Sequence, residues 1–110
     1  MLNQVVLVGR LVRDFEIHMT DKNKKVATIT LAVPRSFKNL EGIYETDFVD
    51  CTLWDLNAVN TKEFCKKGDI LGLRGRIQSR TFENDEHRET KLEIVGEKVT
   101  FLSSNPKEKK

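Results

Sequence analysis

An all-β fold with one short α-helix is predicted by three features of this 110-residue sequence. Short Val-rich segments alternate apolar and polar residues with the period of two that strands impose. Apolar residues at helical spacing occur in one place, DLNAVNTKEFCKKG, and polar turns separate the runs. With 38% hydrophobic and 33% charged residues the chain has material for one domain around a modest core. No apolar run approaches the roughly 18 to 20 residues of a membrane span. The start, MLNQVVLVGR, has neither the basic stretch nor the small-residue cleavage site of a signal peptide. The expectation is therefore an intracellular, cytoplasmic protein with no membrane contact.

Each element follows in order. NQVVLVGRLV is a strand with both faces apolar, Val5, Leu7 and Leu11 on one and Val6, Val8 and Val12 on the other, and a bend or bulge is expected at Gly9. A small antiparallel sheet normally leaves one face wet, so this strand points to a partner subunit or to a closed barrel under a helix. VATITLAVPR sets Ala27, Ile29, Leu31 and Val33 against Val26, Thr28, Thr30 and Ala32, and Pro34 should end it or push it to an edge. SFKNLEGIYETD, polar and containing Gly42, reads as a long hairpin loop into the third strand, FVDCTLW. The helix comes next, capped by Asp55 or Asn57, apolar through Leu56, Val59, Phe64 and Cys65, and stopped at Gly68. In DILGLRGRIQSRTF, the fourth strand, Leu71, Leu73, Gly75 and Ile77 face one way and Arg74, Arg76, Gln78, Arg80 and Phe82 the other. ENDEHRET is a charged loop, KLEIVGEKVTFL a last strand with a bulge at Gly96, and residues 104–110 a polar, basic, disordered tail. Three strands, a helix and two strands is the order of the OB-fold, a five-stranded Greek-key barrel with its helix between strands three and four; it would occupy residues 1–103. Cys51 on the core face and Cys65 near the helix end make no disulfide framework and read as buried free thiols.

The third strand poses a question, because Phe48 and Trp54 share a face with Asp50 and Thr52 while Val49, Cys51 and Leu53 take the core side. The fourth strand answers it. Three arginines and a phenylalanine at period two cannot be a core, since an unpaired buried guanidinium costs more than a small domain recovers. From Lys62 to Arg80 six basic residues stand against two acidic ones (Glu63 and Asp69), a net +4 in a chain whose overall charge is +2. Cations that track phosphates, interleaved with rings that stack on unpaired bases at roughly 1–3 kcal/mol each, are what single-stranded nucleic acid requires. RSFKN repeats the pattern, with Phe37 between Arg35 and Lys38. Opposing it, FENDEHRE is acidic and Asp50 lies between the two third-strand aromatics. Each aromatic taken singly could also be a cross-strand packing residue.

The motifs MLNQVVLVGRLVRDFE, ATITLAV, TDFVDCTLW, FCKKGD and LRGRIQSRTFEN resemble the bacterial single-stranded DNA-binding protein family, from Met1 to about Leu102. The resemblance implies a homotetramer of OB-fold subunits that binds single-stranded DNA without regard to sequence, protecting it during replication, recombination and repair in the bacterial nucleoid. It implies stacking roles for Phe37, Phe48, Trp54 and Phe82, and phosphate contacts for Arg35, Lys38, Lys62, Lys67, Arg76 and Arg80, together with Arg10 and Arg74. Three of the four aromatic places hold Phe where tryptophan is common in the family, and RDFEIHM departs from the usual pattern at Phe15, His18 and Met19. The family usually continues through a Gly/Pro/Gln-rich linker to an acidic tip that recruits replication and repair proteins. This sequence stops at NPKEKK, so that recruitment is not assigned. A primosomal OB-fold protein, acting as a dimer chiefly through protein contacts, is the alternative binding reading. Catalysis is not expected, nor a cofactor or metal. Asp47 and Asp50 point to opposite strand faces, which spoils shared coordination with His18 or His87. Cys51, Cys65, His18 and His87 lack zinc-ligand spacing, and no Gly-rich phosphate loop is present.

Overall fold

Alternation of apolar and polar residues yields six strands and a helix in the computed structural model, which describes residues 1–103. In chain order they are β1 (Val5–Leu11), β2 (His18–Met19), β3 (Lys25–Lys38), β4 (Tyr44–Trp54), α1 (Asp55–Phe64), β5 (Ile70–Glu83) and β6 (Arg88–Ser103). The tail expected at residues 104–110 lies outside the described residues. β1 pairs antiparallel with both β3 and β5, β3 with β4, and β5 with β6. The circuit closes where β4 runs parallel to β6 through Cys51–Ile94 and Thr52–Val95. Apart from β2, a two-residue arm on β3 that sequence reading missed, this is the expected five-stranded barrel with its helix between the third and fourth strands.

Inward positions build the core as parity requires: Ala27, Ile29 and Leu31 of β3, Cys51 and Leu53 of β4, and Leu71 and Leu73 of β5, joined by Leu11, Phe15 and, from the helical region, Ala58 and Cys65. Burial pushes both thiols up to about 11, with Asp50 adding to the effect at Cys51 and Asp69 at Cys65. The outer residues of β1, Val6 and Val8, remain exposed, so only one of its two apolar faces is used within the chain.

Several local expectations are corrected. Of the bend or bulge expected at Gly9, the bulge is absent, since β1 keeps an unbroken register with β5 through it. A Cβ there would lie 2.8 Å from the Ala32 carbonyl oxygen, so glycine permits the close crossing at which β1 turns from β5 onto β3. Pro34 does not end β3; it stands where the β3–β4 register shifts, and pairing resumes at Lys38–Tyr44. Both long hairpins therefore have ordered arms, and the charged segment expected as a loop narrows to residues 84–87 between β5 and β6. The helix has no side-chain cap, because Trp54 occupies that position and Asp55, at φ 49°, accepts a hydrogen bond from the Lys25 amide. It ends at Cys65, whose N–H donates to the Thr61 carbonyl. Its buried face is Ala58, Thr61 and Cys65, while Leu56 and Phe64 are exposed, because a helix laid across a barrel end packs through small residues. The irregularity expected at Gly96 is present: register shifts between Arg74 and Gly75, opposite Gly96.

Candidate nucleic-acid interface

Register determines which side chains share the outer surface. Outward along β4 stand Phe48, Asp50, Thr52 and Trp54, opposite Ala32, Thr30, Thr28 and Val26 of β3. On the other side of β4, Thr52 neighbours Val95 of β6, and Val95 is paired in turn with Arg76 of β5. Hydrogen bonds confirm that these strands present one continuous face. Thr52 Oγ1 donates to Glu93 Oε2 at 3.1 Å and Gln78 Nε2 to Glu93 Oε1 at 3.2 Å. Arg80 lies 3.3 Å from the same carboxylate, and Arg76 donates to Gln78 at 3.0 Å and to Glu97 at 2.9 Å. The aromatics of β4 and the arginines of β5 thus flank β6 on one side of the barrel.

Phe48 is 67% exposed and Phe82, farther along β5, 50% exposed; Trp54 is half-buried. None belongs to the core cluster. Val95, 4% exposed yet outside that cluster, forms an apolar floor between Thr52 and Arg76. Phe37 projects from the β3–β4 arm, 66% exposed. On the same arm Arg35 is held by two acids, donating to Asp47 through Nε at 3.1 Å and Nη2 at 2.9 Å and to Glu45 through Nη1 at 2.5 Å. The hydrogen bond from Arg35 holds the Asp47 carboxyl below its usual range, and the same bond raises the guanidinium. Lys38 Nζ lies 5.6 Å from the centre of the Tyr44 ring.

The remaining expected phosphate contacts are dispersed. Lys62 Nζ donates to the Phe15 carbonyl at 2.6 Å, lies 3.7 Å from Glu16, and sits 5.5 Å over the Phe15 ring. That places it at the border of the face, beside a depression of about 270 Å³ that Phe15 lines with Thr28, Thr30 and Asp50. Lys67 is exposed in the turn after α1, its amide donating to Asp14. Arg10 faces outward on β1 and donates to the Gly68 carbonyl, and Arg74 lies between Val6 of β1 and Lys98 of β6, beyond the bulge from Arg76. The structure therefore gathers Phe48, Trp54, Arg76 and Arg80 on one face, sets Phe37, Arg35, Lys38 and Phe82 on the projecting arms, and leaves Arg10 and Arg74 on the β1 side. Sequence reasoning missed the face's centre, Glu93 and Val95. Their signal was available, since Glu93, Val95 and Glu97 alternate with Ile94 and Gly96 in KLEIVGEK.

Residues 2–102 match the family model described as the single-strand binding protein family. The chain is 46% identical over 110 residues to the single-stranded DNA-binding protein B of Bacillus subtilis (strain 168), covering 99% of this chain and 97% of that protein. It is 50% identical over 105 residues to the single-stranded DNA-binding protein 3 of Listeria innocua, covering 94% of this chain and 66% of that one. Among solved structures, a deletion mutant of the single-stranded DNA binding protein from Thermus aquaticus superposes with a TM-score of 0.77 at 22% identity. The match covers 93% of this chain and about half, 51%, of that one, and it speaks for the fold.

Proposed function

The chain belongs to the single-strand binding protein family, and from that premise we propose that it coats single-stranded DNA without regard to sequence, holding bases on aromatic rings and phosphates on arginines and lysines. The observation that carries this reading is the continuous outer face on which Phe48 and Trp54 of β4 meet Arg76 and Arg80 of β5 across Glu93. Rings stack on any base because every base has a π-face. Arg76 and Arg80 are anchored to Glu97 and Glu93 on that surface, where an incoming phosphate can share or replace the carboxylate. Phe37 and Phe82 on the arms extend the platform at both ends. Covering the strand keeps it from reannealing and from nucleases, which serves replication, recombination and repair. Coating requires no bond making or breaking, so the protein works as a binder and not as an enzyme. Among the described residues no helix is long and apolar enough to cross a membrane, and the site of action is the cytoplasm, on the nucleoid.

The assembly belongs to the same proposal. Val6 and Val8, 68% and 53% exposed on the outer face of β1, form the apolar strip that a subunit contact would cover, consistent with a homotetramer. The relatives named above support this reading over the primosomal one. Titrating the protein with oligo-dT while following Trp54 emission tests it. Quenching is expected, with a midpoint that weakens as salt rises because phosphate binding releases counterions, log K falling with log salt at roughly 0.7 per phosphate neutralised. Unchanged emission together with no mobility shift of the oligonucleotide would refute the function.

A further inference from the structure

Asp50 is a carboxylate in the middle of a surface that is otherwise suited to a polyanion. It stands two residues from Phe48 and four from Trp54, all pointing outward. Its Oδ1 accepts a hydrogen bond from Thr30 Oγ1 at 2.6 Å, and Thr30 is only 6% exposed, so the carboxylate is oriented by a fixed neighbour. No lysine or arginine forms an ion pair with Asp50 among the described residues, unlike Glu93 on the same surface. It borders the depression lined also by Thr28, Phe15, Arg13, His18 and two further acids, Asp14 and Glu16.

We propose that Asp50 reads bases: its free oxygen accepts a hydrogen bond from the exocyclic amino group of an unpaired base stacked beside it, so this face prefers cytosine to uracil or thymine. The inference rests on the single-stranded DNA reading above and refines it: the rings accept any base, and Asp50 adds a modest base preference to that sequence-tolerant binding. A fixed negative charge repels phosphate, so the backbone runs along the Arg76–Arg80 side and turns base edges toward Asp50. Successive outward positions on a strand are roughly 7 Å apart, so a base lying on the Phe48 ring presents its edge to the Asp50 carboxylate. Cytosine offers its N4 amino group to such an acceptor, which is the pairing acidic side chains make with that base. Uracil and thymine offer one imide N–H between two carbonyls, and those carbonyls repel the carboxylate.

Oligo-dC and oligo-dU isolate this effect, since the bases differ only in the amino-for-carbonyl exchange at C4 and the proton it moves to N3. Oligonucleotides of about 15 residues suit the site size of such a domain, and anisotropy of an end label reads both affinities at one salt concentration. The wild-type protein should bind oligo-dC about fivefold tighter than oligo-dU or more, and Asp50→Ala should bring the ratio close to one, chiefly by strengthening oligo-dU binding. Equal affinities for the wild-type protein would overturn the inference whether or not the variant folds. So would a ratio that Asp50→Ala leaves unchanged, or a loss equal for both oligonucleotides, which marks a structural role only. In each of these cases single-strand binding itself survives; binding of neither oligonucleotide would remove the functional reading, and this inference with it.

Discussion

Arg35 shows how a residue proposed for the interface can be restrained from it. Its guanidinium is shared by Asp47 and Glu45 on the facing strand, so a phosphate must compete with two carboxylates before Arg35 contributes. Replacing Asp47 with Asn removes the stronger holder and leaves the arm's backbone pairing intact. Asp47→Asn should therefore bind oligo-dT a few-fold tighter at low salt, an effect of the size expected for an exposed ion pair; an unchanged or weaker affinity by anisotropy would place Arg35 outside the binding path. The pH sign follows from the same contact. The Asp47 pKa is lowered in the folded state, so the stabilisation is present above the unfolded carboxyl's value of 3.8 and is lost as pH falls through the lower folded value. Near neutral pH the restraint is fully in force. Which rings and cations face outward was legible from parity alone, as Phe48, Trp54, Arg76 and Arg80 demonstrate. Which acid neutralises which cation was not, because the β5–β6 register that sets Glu93 beside Arg80 is fixed only once the hairpin has paired.

At the scale of elements, the β5–β6 hairpin owes its course to backbone crowding. Gly75 on β5 faces Gly96 on β6 where the register shifts. A Cβ on Gly75 would lie 2.0 Å from the Val95 carbonyl oxygen and one on Gly96 2.6 Å from Leu53 Cδ2. Neither site can accept a side chain without moving strand or core. Gly75→Ala should lose about 3 kcal/mol or more of stability, read as a lower denaturation midpoint, whereas Gly42→Ala, in the open β3–β4 turn, should cost less through its φ of 79° alone. Equal stabilities for the two variants would show that the strand crossing relaxes easily. Strand order, the place of the helix and the bulge at Gly96 were all legible, because each is written in local alternation or in a glycine inside it. The helix was legible in place but not in orientation. Its spacing favoured Leu56, Val59, Phe64 and Cys65, of which only Cys65 is buried, while the barrel end takes the small Ala58 and Thr61 beside it. Likewise Pro34 marked a break in hydrogen bonding that the neighbouring strand tolerates, a tertiary accommodation that local rules do not contain.

For the molecule as a whole, the core closes on itself around two thiols. Cys51 is fully buried and Cys65 6% exposed, and burial pushes both up to about 11. Since the thiolate is the reactive form, neither should react with a neutral-pH alkylating reagent until the barrel opens. Labelling rates should then track the global unfolding equilibrium as denaturant is added; rapid labelling of native protein would mean that the helix lid detaches independently. That global closure has a location. The ring of strands is completed by two residue pairs, Cys51–Ile94 and Thr52–Val95, where the fourteen-residue β5 and sixteen-residue β6 have a far longer ladder between them. The short join includes Thr52, which bonds Glu93 across it, and it lies between Phe48 and Trp54 of β4 and the arginines of β5. A strand of DNA bound from one side to the other would lie over that join as a strap lies over a seam, so cargo and container would hold each other shut.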